Sequence, residues 1–214
     1  MARRLCVIAA RADGRDTLFR VEARSLRAMS VEAYVDLDRS DEARWEYVNG
    51  EAHAMAGGSP EHALVAGNLL FALKASLDGK PCLAFHEAQK IATTRTQAYH
   101  YPDASVVCPP FTRDERDDHA FTSPTILFEV LSSSTRDHEQ GGKFVHYRSI
   151  EMLSDYVLVD PDRREVEHRK KIAPAQWLST FLRSGELRLE SLAIVISIEA
   201  LWRDLDRLAA ASAR

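Results

Sequence analysis

Blocks of apolar and polar positions follow one another along this chain, and the period of each block predicts an element. Ser30 is a hydroxyl N-cap ahead of a short helix with Tyr34 and Leu37 on one side, stopping near Asp38. Residues 44–48 and 51–55 read as strands around Asn49-Gly50, the strongest short hairpin signal. Gly57-Gly58-Ser59-Pro60-Glu61 supplies a loop, an N-cap serine, proline at the first helical position and an acid in the first turn. The helix it opens runs to about Leu77, with Leu64, Leu70 or Val65, Leu69, Leu73 and Leu77 giving it a broad apolar face, before Asp78-Gly79-Lys80-Pro81 ends it.

Strands are predicted over residues 82–92, 98–107 and 125–132, a helix over 134–150 anchored by Phe144 and Tyr147, and a strand over 154–160. Residues 164–171 and 176–181 continue as an antiparallel pair after a Pro161-Asp162 turn. Residues 198–210 repeat Ile198, Leu201, Leu205 and Leu208, an amphipathic helix that caps the sheet. This order predicts a mixed α/β (α+β) fold, a central mixed sheet flanked by helices. The first 24 or so residues have no clear period. Residues 1–28 therefore read as a poorly ordered N-terminal extension, residues 29–210 as a single domain, and Met29 as a second candidate start.

Composition narrows the function classes. A chain of 214 residues fits one ordinary domain, and 45% hydrophobic with 28% charged residues is globular composition. No apolar stretch approaches the roughly 18 residues that span a bilayer. Arg3 and Arg4 before residues 5–10 imitate a signal peptide, but the apolar run is too short and Arg11 ends it. Cys6, Cys82 and Cys108 are odd in number and scattered, so neither a disulfide framework nor a cysteine zinc site is expected, and the cytoplasm is the simplest home. A net charge of −4 argues against coating nucleic acid by charge alone. It leaves a nuclease open, because acidic metal ligands lower the charge of the metal-free protein.

Two acids stand out. Alternation over residues 125–132 puts Leu127, Glu129 and Leu131 on one face and Ile126, Phe128 and Val130 on the other. An ionised Glu129 between two leucines is costly unless a cation meets it. In Tyr101-Pro102-Asp103, Pro102 lacks a backbone donor and interrupts the ladder, aiming Asp103 out of the regular sheet. The plain alternatives are an edge-strand charge for Glu129 and a solvated turn acid for Asp103.

Several motifs together carry a family resemblance: residues 46–51 (Glu-Tyr-Val-Asn-Gly-Glu), residues 55–62 ending in His62, Tyr101-Pro102-Asp103 with residues 104–107, and Glu129-Val130-Leu131-Ser132. Ser134-Thr135 with Asp137, then Lys143, and residues 156–160 complete them. From about Met29 to Leu205 the chain resembles the PD-(D/E)xK nuclease superfamily, and within it the restriction endonucleases of the Uma-two type. The resemblance implies a Mg²⁺-dependent endonuclease acting on DNA, with Mn²⁺ as a possible substitute. It makes Asp103 and Glu129 metal ligands, Lys143 the charge stabiliser, and Glu46 an acid assisting the metal or water. In the superfamily a lysine stands two residues after the second acid on one strand. Here position 131 is Leu, and Lys143 from the following helix takes that role. Ser133 also departs from the pattern, where proline usually follows Leu-Ser.

Other residues have plainer readings. Ser132, Ser133 and Ser134 with Asp137 and His138 lack a Gly-x-Ser-x-Gly elbow and read as caps or turns, with Asp137 capping the helix or holding Lys143. The histidines show no metal spacing, although His62 at a helix start is placed to contact substrate. Lys90 reads as an exposed edge lysine, and His168-Arg169-Lys170-Lys171 as a solvated strand end. The rival to the enzyme is a catalytically silent nucleic-acid-binding or regulatory module on the same fold. A homodimer is expected only because double-strand cutting needs two centres.

Overall fold

In the computed structural model, which describes residues 8–12, 15–19, 25–55, 57–132 and 138–212, the chain divides into two units, Met1–Ala56 and Gly57–Arg214. The expectations for Ser133, Ser134, Thr135 and Asp137 lie outside the described residues.

In the first unit, β1 (Ile8–Ala12) and β2 (Arg15–Phe19) pair as an antiparallel hairpin within the stretch read as an extension. They are followed by β3 (Ser25–Arg27), α1 (Val31–Ser40), β4 (Trp45–Val48) and β5 (Glu51–Ala54). β5 lies between β4 and β3, antiparallel to both. The β4–β5 turn has φ of 49° at Asn49 and 89° at Gly50, the positive pair that a type I′ hairpin demands. Ser30 caps α1 by accepting from the Ala33 amide at 3.2 Å, and Tyr34 donates to the Trp45 carbonyl at 2.8 Å. The tyrosine bond ties the helix to the hairpin through a hydroxyl its buried face could not leave unpaired.

The second unit opens with α2 (Pro60–Ser76), capped by Ser59 as its sequence predicts. Strands β6 (Leu83–His86), β7 (Lys90–Thr93), β8 (Ala98–His100), β9 (Ala104–Val107), β10 (Ala120–Phe121) and β11 (Pro124–Val130) follow. A π-helical turn, His138–Lys143, runs into α3 (Phe144–Tyr147). Then come β12 (Asp155–Asp160), β13 (Glu165–Ala173), β14 (Gln176–Leu182), β15 (Glu186–Leu189), β16 (Ile194–Ser197), α4 (Ile198–Leu201) and α5 (Leu205–Ser212). The main sheet has the order β14-β13-β12-β11-β9-β6, with β11 and β12 parallel and the other pairs antiparallel. The fold is thus mixed α/β.

Both faces of β11 are covered. Ile126, Phe128 and Val130 pack with Val65, Leu69 and Leu73 of α2 and with Ile196 and Leu201 behind them. Leu127 and Leu131 pack on the other side with Tyr147, Tyr156, Leu158 and Ile91. The alternation read from sequence is the alternation observed.

Several elements differ from expectation. Residues 82–92 are two strands, not one: the Gln89 amide reaches back to the His86 carbonyl at 3.0 Å in a turn, and β6 pairs with β9 while β7 pairs with β8 and β10. Residues 98–107 split at Pro102, which has no N–H for a ladder. The 198–210 helix breaks at Asp204, whose φ is 64°. The β15–β16 hairpin was not expected.

Cysteine chemistry also differs. Cys82 and Cys108 form a disulfide, their Cα atoms 4.1 Å apart. The Leu83–Val107 register of β6 and β9 places the two cysteines opposite one another, a juxtaposition their 26-residue separation does not announce. This removes the cysteine argument for a reducing compartment. Among the described residues no helix is long and apolar enough to cross a membrane.

Candidate active site

Asp103 sits at the bend between Pro102 and β9. The last ladder pair on that side is Ala104 with Phe128, so the next position on each strand brings Asp103 level with Glu129. Asp103 Oδ2 accepts from the Val130 amide at 2.7 Å. A side chain thereby takes over where the interrupted strand no longer offers a carbonyl. Its other oxygen, Oδ1, lies 3.1 Å from His62 Nε2 in the first turn of α2.

Glu129 is 1% exposed, among apolar neighbours. Its charge is met from the π-helical turn and α3. Lys143 Nζ lies 3.2 Å from Oε2, and the Tyr147 hydroxyl donates to Oε1 at 3.0 Å. Residues 143 and 147 are four apart, so one helix face delivers both. The π-helical turn sets the phase at which Lys143 enters α3, a geometry that recurs at functional sites. Lys143 is itself only 4% exposed.

Asp103, Glu129 and Lys143 belong to one unit, and β9, β11 and the entry to α3 deliver them. Glu46 lies on β4 in the other unit, buried, with His53 opposite it on β5. Tyr147 was read from sequence as a core anchor only. Its spacing from Lys143 was the signal that it shares the lysine's face. His62 was legible as a helix-start residue but not as a partner of Asp103.

Two of the other sequence readings need correction. Lys90 is not an exposed edge lysine: it is 2% exposed and bonds Asp117 Oδ2 at 2.5 Å. Nor is the 168–171 cluster simply solvated. His168 is buried against Asp155 at 2.7 Å, Arg169 pairs with Glu167 and lies 4.7 Å from the centre of the Phe144 ring, and Lys170 pairs with Glu190. An open groove of about 640 Å³ lies among Arg95, Arg113, Arg116 and Met152 and includes none of the predicted site residues.

The donor set suits a hard divalent cation. A carboxylate offers about four lone-pair directions, so one that already accepts hydrogen bonds can also ligate a metal. Mg²⁺ commonly takes one or two protein carboxylates and fills the rest of its shell with water and phosphate oxygens. Among the described residues no group of three His, Cys, Asp or Glu side chains is arranged to hold a metal.

Comparison with known proteins agrees with this fold. An uncharacterized protein of Synechocystis sp. (strain ATCC 27184 / PCC 6803 / Kazusa), slr1290, is 33% identical over 178 residues, covering 83% of this chain and 93% of that one. A second from the same organism, sll1609, is 28% identical over 166 residues, covering 77% and 93%. The crystal structure of a "putative nuclease belonging to DUF820" from Anabaena variabilis ATCC 29413 superposes with a TM-score of 0.68 at 17% identity, over 81% of this chain and 97% of that one. That likeness shows a shared fold. Residues 31–201 match the model of the Uma2 family, described as "putative restriction endonuclease", and the chain belongs to that family.

Proposed function

We propose that this chain is a divalent-cation-dependent endonuclease that hydrolyses DNA phosphodiester bonds, with Mg²⁺ as cofactor and Mn²⁺ as substitute. The observation that carries this reading is the Glu129 carboxylate. It is buried on an apolar strand face, met by Lys143 and Tyr147, and one residue from the amide that holds Asp103.

Asp103 and Glu129 would hold the cation. When bound, such an ion activates water as a nucleophile and neutralises charge on a phosphoryl oxygen. Lys143 keeps a positive charge beside Glu129, fixed before any substrate arrives, and so favours negative charge developing on phosphate without reorganisation. Tyr147 orients Glu129 from the opposite side. The family resemblance gives Glu46 an assisting role.

The test is cleavage of plasmid, linear and single-stranded DNA, with RNA as a parallel substrate, in Mg²⁺ or Mn²⁺. Cleavage of DNA that falls at least about 100-fold in Asp103→Ala and Glu129→Ala supports the reading, the scale of losing a preorganised electrostatic contact. Glu46→Gln is expected to lower the rate less. DNA left intact by the wild type, or cut equally by both alanine variants, ends it.

One observation favours a second reading, a silent nucleic-acid-binding module. Glu129 and Lys143 are 1% and 4% exposed and already satisfy one another. Such a module binds DNA without added metal and with affinity unchanged by Glu129→Ala.

A further inference from the structure

We propose that His62 is a positioning residue that fixes the Asp103 carboxylate, and that residue 58 is glycine to leave room for the His62 ring. This deepens the reading of Asp103 as a cation ligand and rests on it.

The His62 amide donates to the Ser59 side chain at 3.2 Å, which places His62 in the first turn of α2. From there its ring folds back over the loop before the helix. A Cβ at position 58 would stand 2.6 Å from His62 Nδ1 and 2.9 Å from Cγ, closer than side-chain carbons come to one another. At position 57 a Cβ would meet nothing within 4 Å. Adjacent glycines thus do different jobs. Gly58 is needed for space and not for a left-handed φ, and Gly57 sets no such limit.

The ring's far nitrogen, Nε2, reaches Asp103 Oδ1 at 3.1 Å, and both side chains are mostly enclosed, 19% and 11% exposed. Oδ2 of the same carboxylate takes the Val130 amide at 2.7 Å. One oxygen is thus held by the main sheet and the other by α2, which fixes the carboxylate's plane. Groups that orient a metal ligand in this way commonly change metal affinity or activity by about 10- to 100-fold when removed.

The experiment follows the Val130 amide by ¹⁵N NMR in metal-free protein and Mn²⁺ affinity by calorimetry, in wild type, His62→Ala, His62→Gln, Gly58→Ala and Gly57→Ala. The Val130 resonance is expected to move in His62→Ala and Gly58→Ala and to stay in Gly57→Ala. Gln, which keeps a donor at similar reach, restores most of the wild-type position. Mn²⁺ binding weakens about tenfold or more in His62→Ala with little change in thermal midpoint. The effect of Gly58→Ala vanishes when His62 is already Ala, because the two act through one contact. An unmoved Val130 resonance in His62→Ala overturns the proposal, and so does unchanged Mn²⁺ affinity beside a moved resonance. If the wild type binds no Mn²⁺ while the resonance moves as expected, the positioning contact stands and the cation reading falls.

Discussion

Among the described residues of the second unit are two buried lysine–carboxylate pairs, and they are built differently. Lys90 and Asp117 are 2.5 Å apart. Asp117 also accepts the His119 amide, and the neighbouring Asp114 accepts the Tyr99 hydroxyl and the amides of residues 116 and 117. Burial and then the hydrogen bond to Asp114 push the Tyr99 hydroxyl well above its ordinary range. The result is a loop knotted onto β7 and β8, with its polar groups turned inward. Lys143 and Glu129 are 3.2 Å apart, and the carboxylate of a second acid is anchored one residue away. The first pair closes a loop. The second keeps two acids and a lysine together at the end of a strand, a set of groups that can meet a cation and an anion. Burial alone therefore does not distinguish a fastening from a site; the company each pair keeps does.

The largest expected effect breaks the first pair. Lys90→Ala removes the buried cation that meets Asp117 and is expected to cost about 3–5 kcal/mol in denaturant unfolding, whereas Lys90→Met with Asp117→Leu recovers most of it. Lys143→Met should cost less, because its pair is longer, 3.2 Å against 2.5 Å. Equal losses at the two sites would erase the contrast.

Next in size is the disulfide. Reducing Cys82–Cys108, or replacing Cys82 with Ser, should lower stability by about 2–4 kcal/mol. Mass spectrometry without reductant checks that the bond forms. Because the bridge lies beyond the Val107 end of β9, opposite the end that Asp103 precedes, cleavage and metal binding measured in the folded state should stay as they are.

The smallest effect concerns Asp155, another buried carboxylate, which pairs with a histidine instead of a lysine. Burial pulls its carboxyl upward, but hydrogen bonds from His168, Ser154 and Ser191 outweigh that and leave it below its ordinary 3.8. Its contribution to stability is therefore complete above the unfolded-chain value and is lost as pH falls through the lower folded value. Asp155→Asn should flatten the acid limb of stability against pH, measured by denaturant melts from pH 6 downward, and leave the rest of the curve parallel to wild type.

Much of the fold was legible because local rules governed it. The Asn49-Gly50 hairpin, the serine-capped starts of α1 and α2, and the two faces of β11 each follow from a few neighbouring residues. What escaped was set by distant contacts. Lys90 looked like a surface lysine because its partner lies 27 residues on, in a loop with no period of its own. Cys82 and Cys108 needed the pairing of β6 with β9 to become neighbours. At the site, Asp103 and Glu129 stood out as acids in apolar company, and Lys143 came from family resemblance. Tyr147 hid among core aromatics, since a tyrosine at a helical spacing reads as packing until its hydroxyl is seen to have a target.

The central claim is that Asp103 and Glu129 hold a divalent cation, and calorimetric titration with Mn²⁺ and then Mg²⁺ tests it most directly. The account predicts one site in the wild type, kept when Lys90→Met and Asp117→Leu are combined and lost in Glu129→Gln. Binding by Glu129→Gln that matches the wild type, or no binding by the wild type at all, would contradict it.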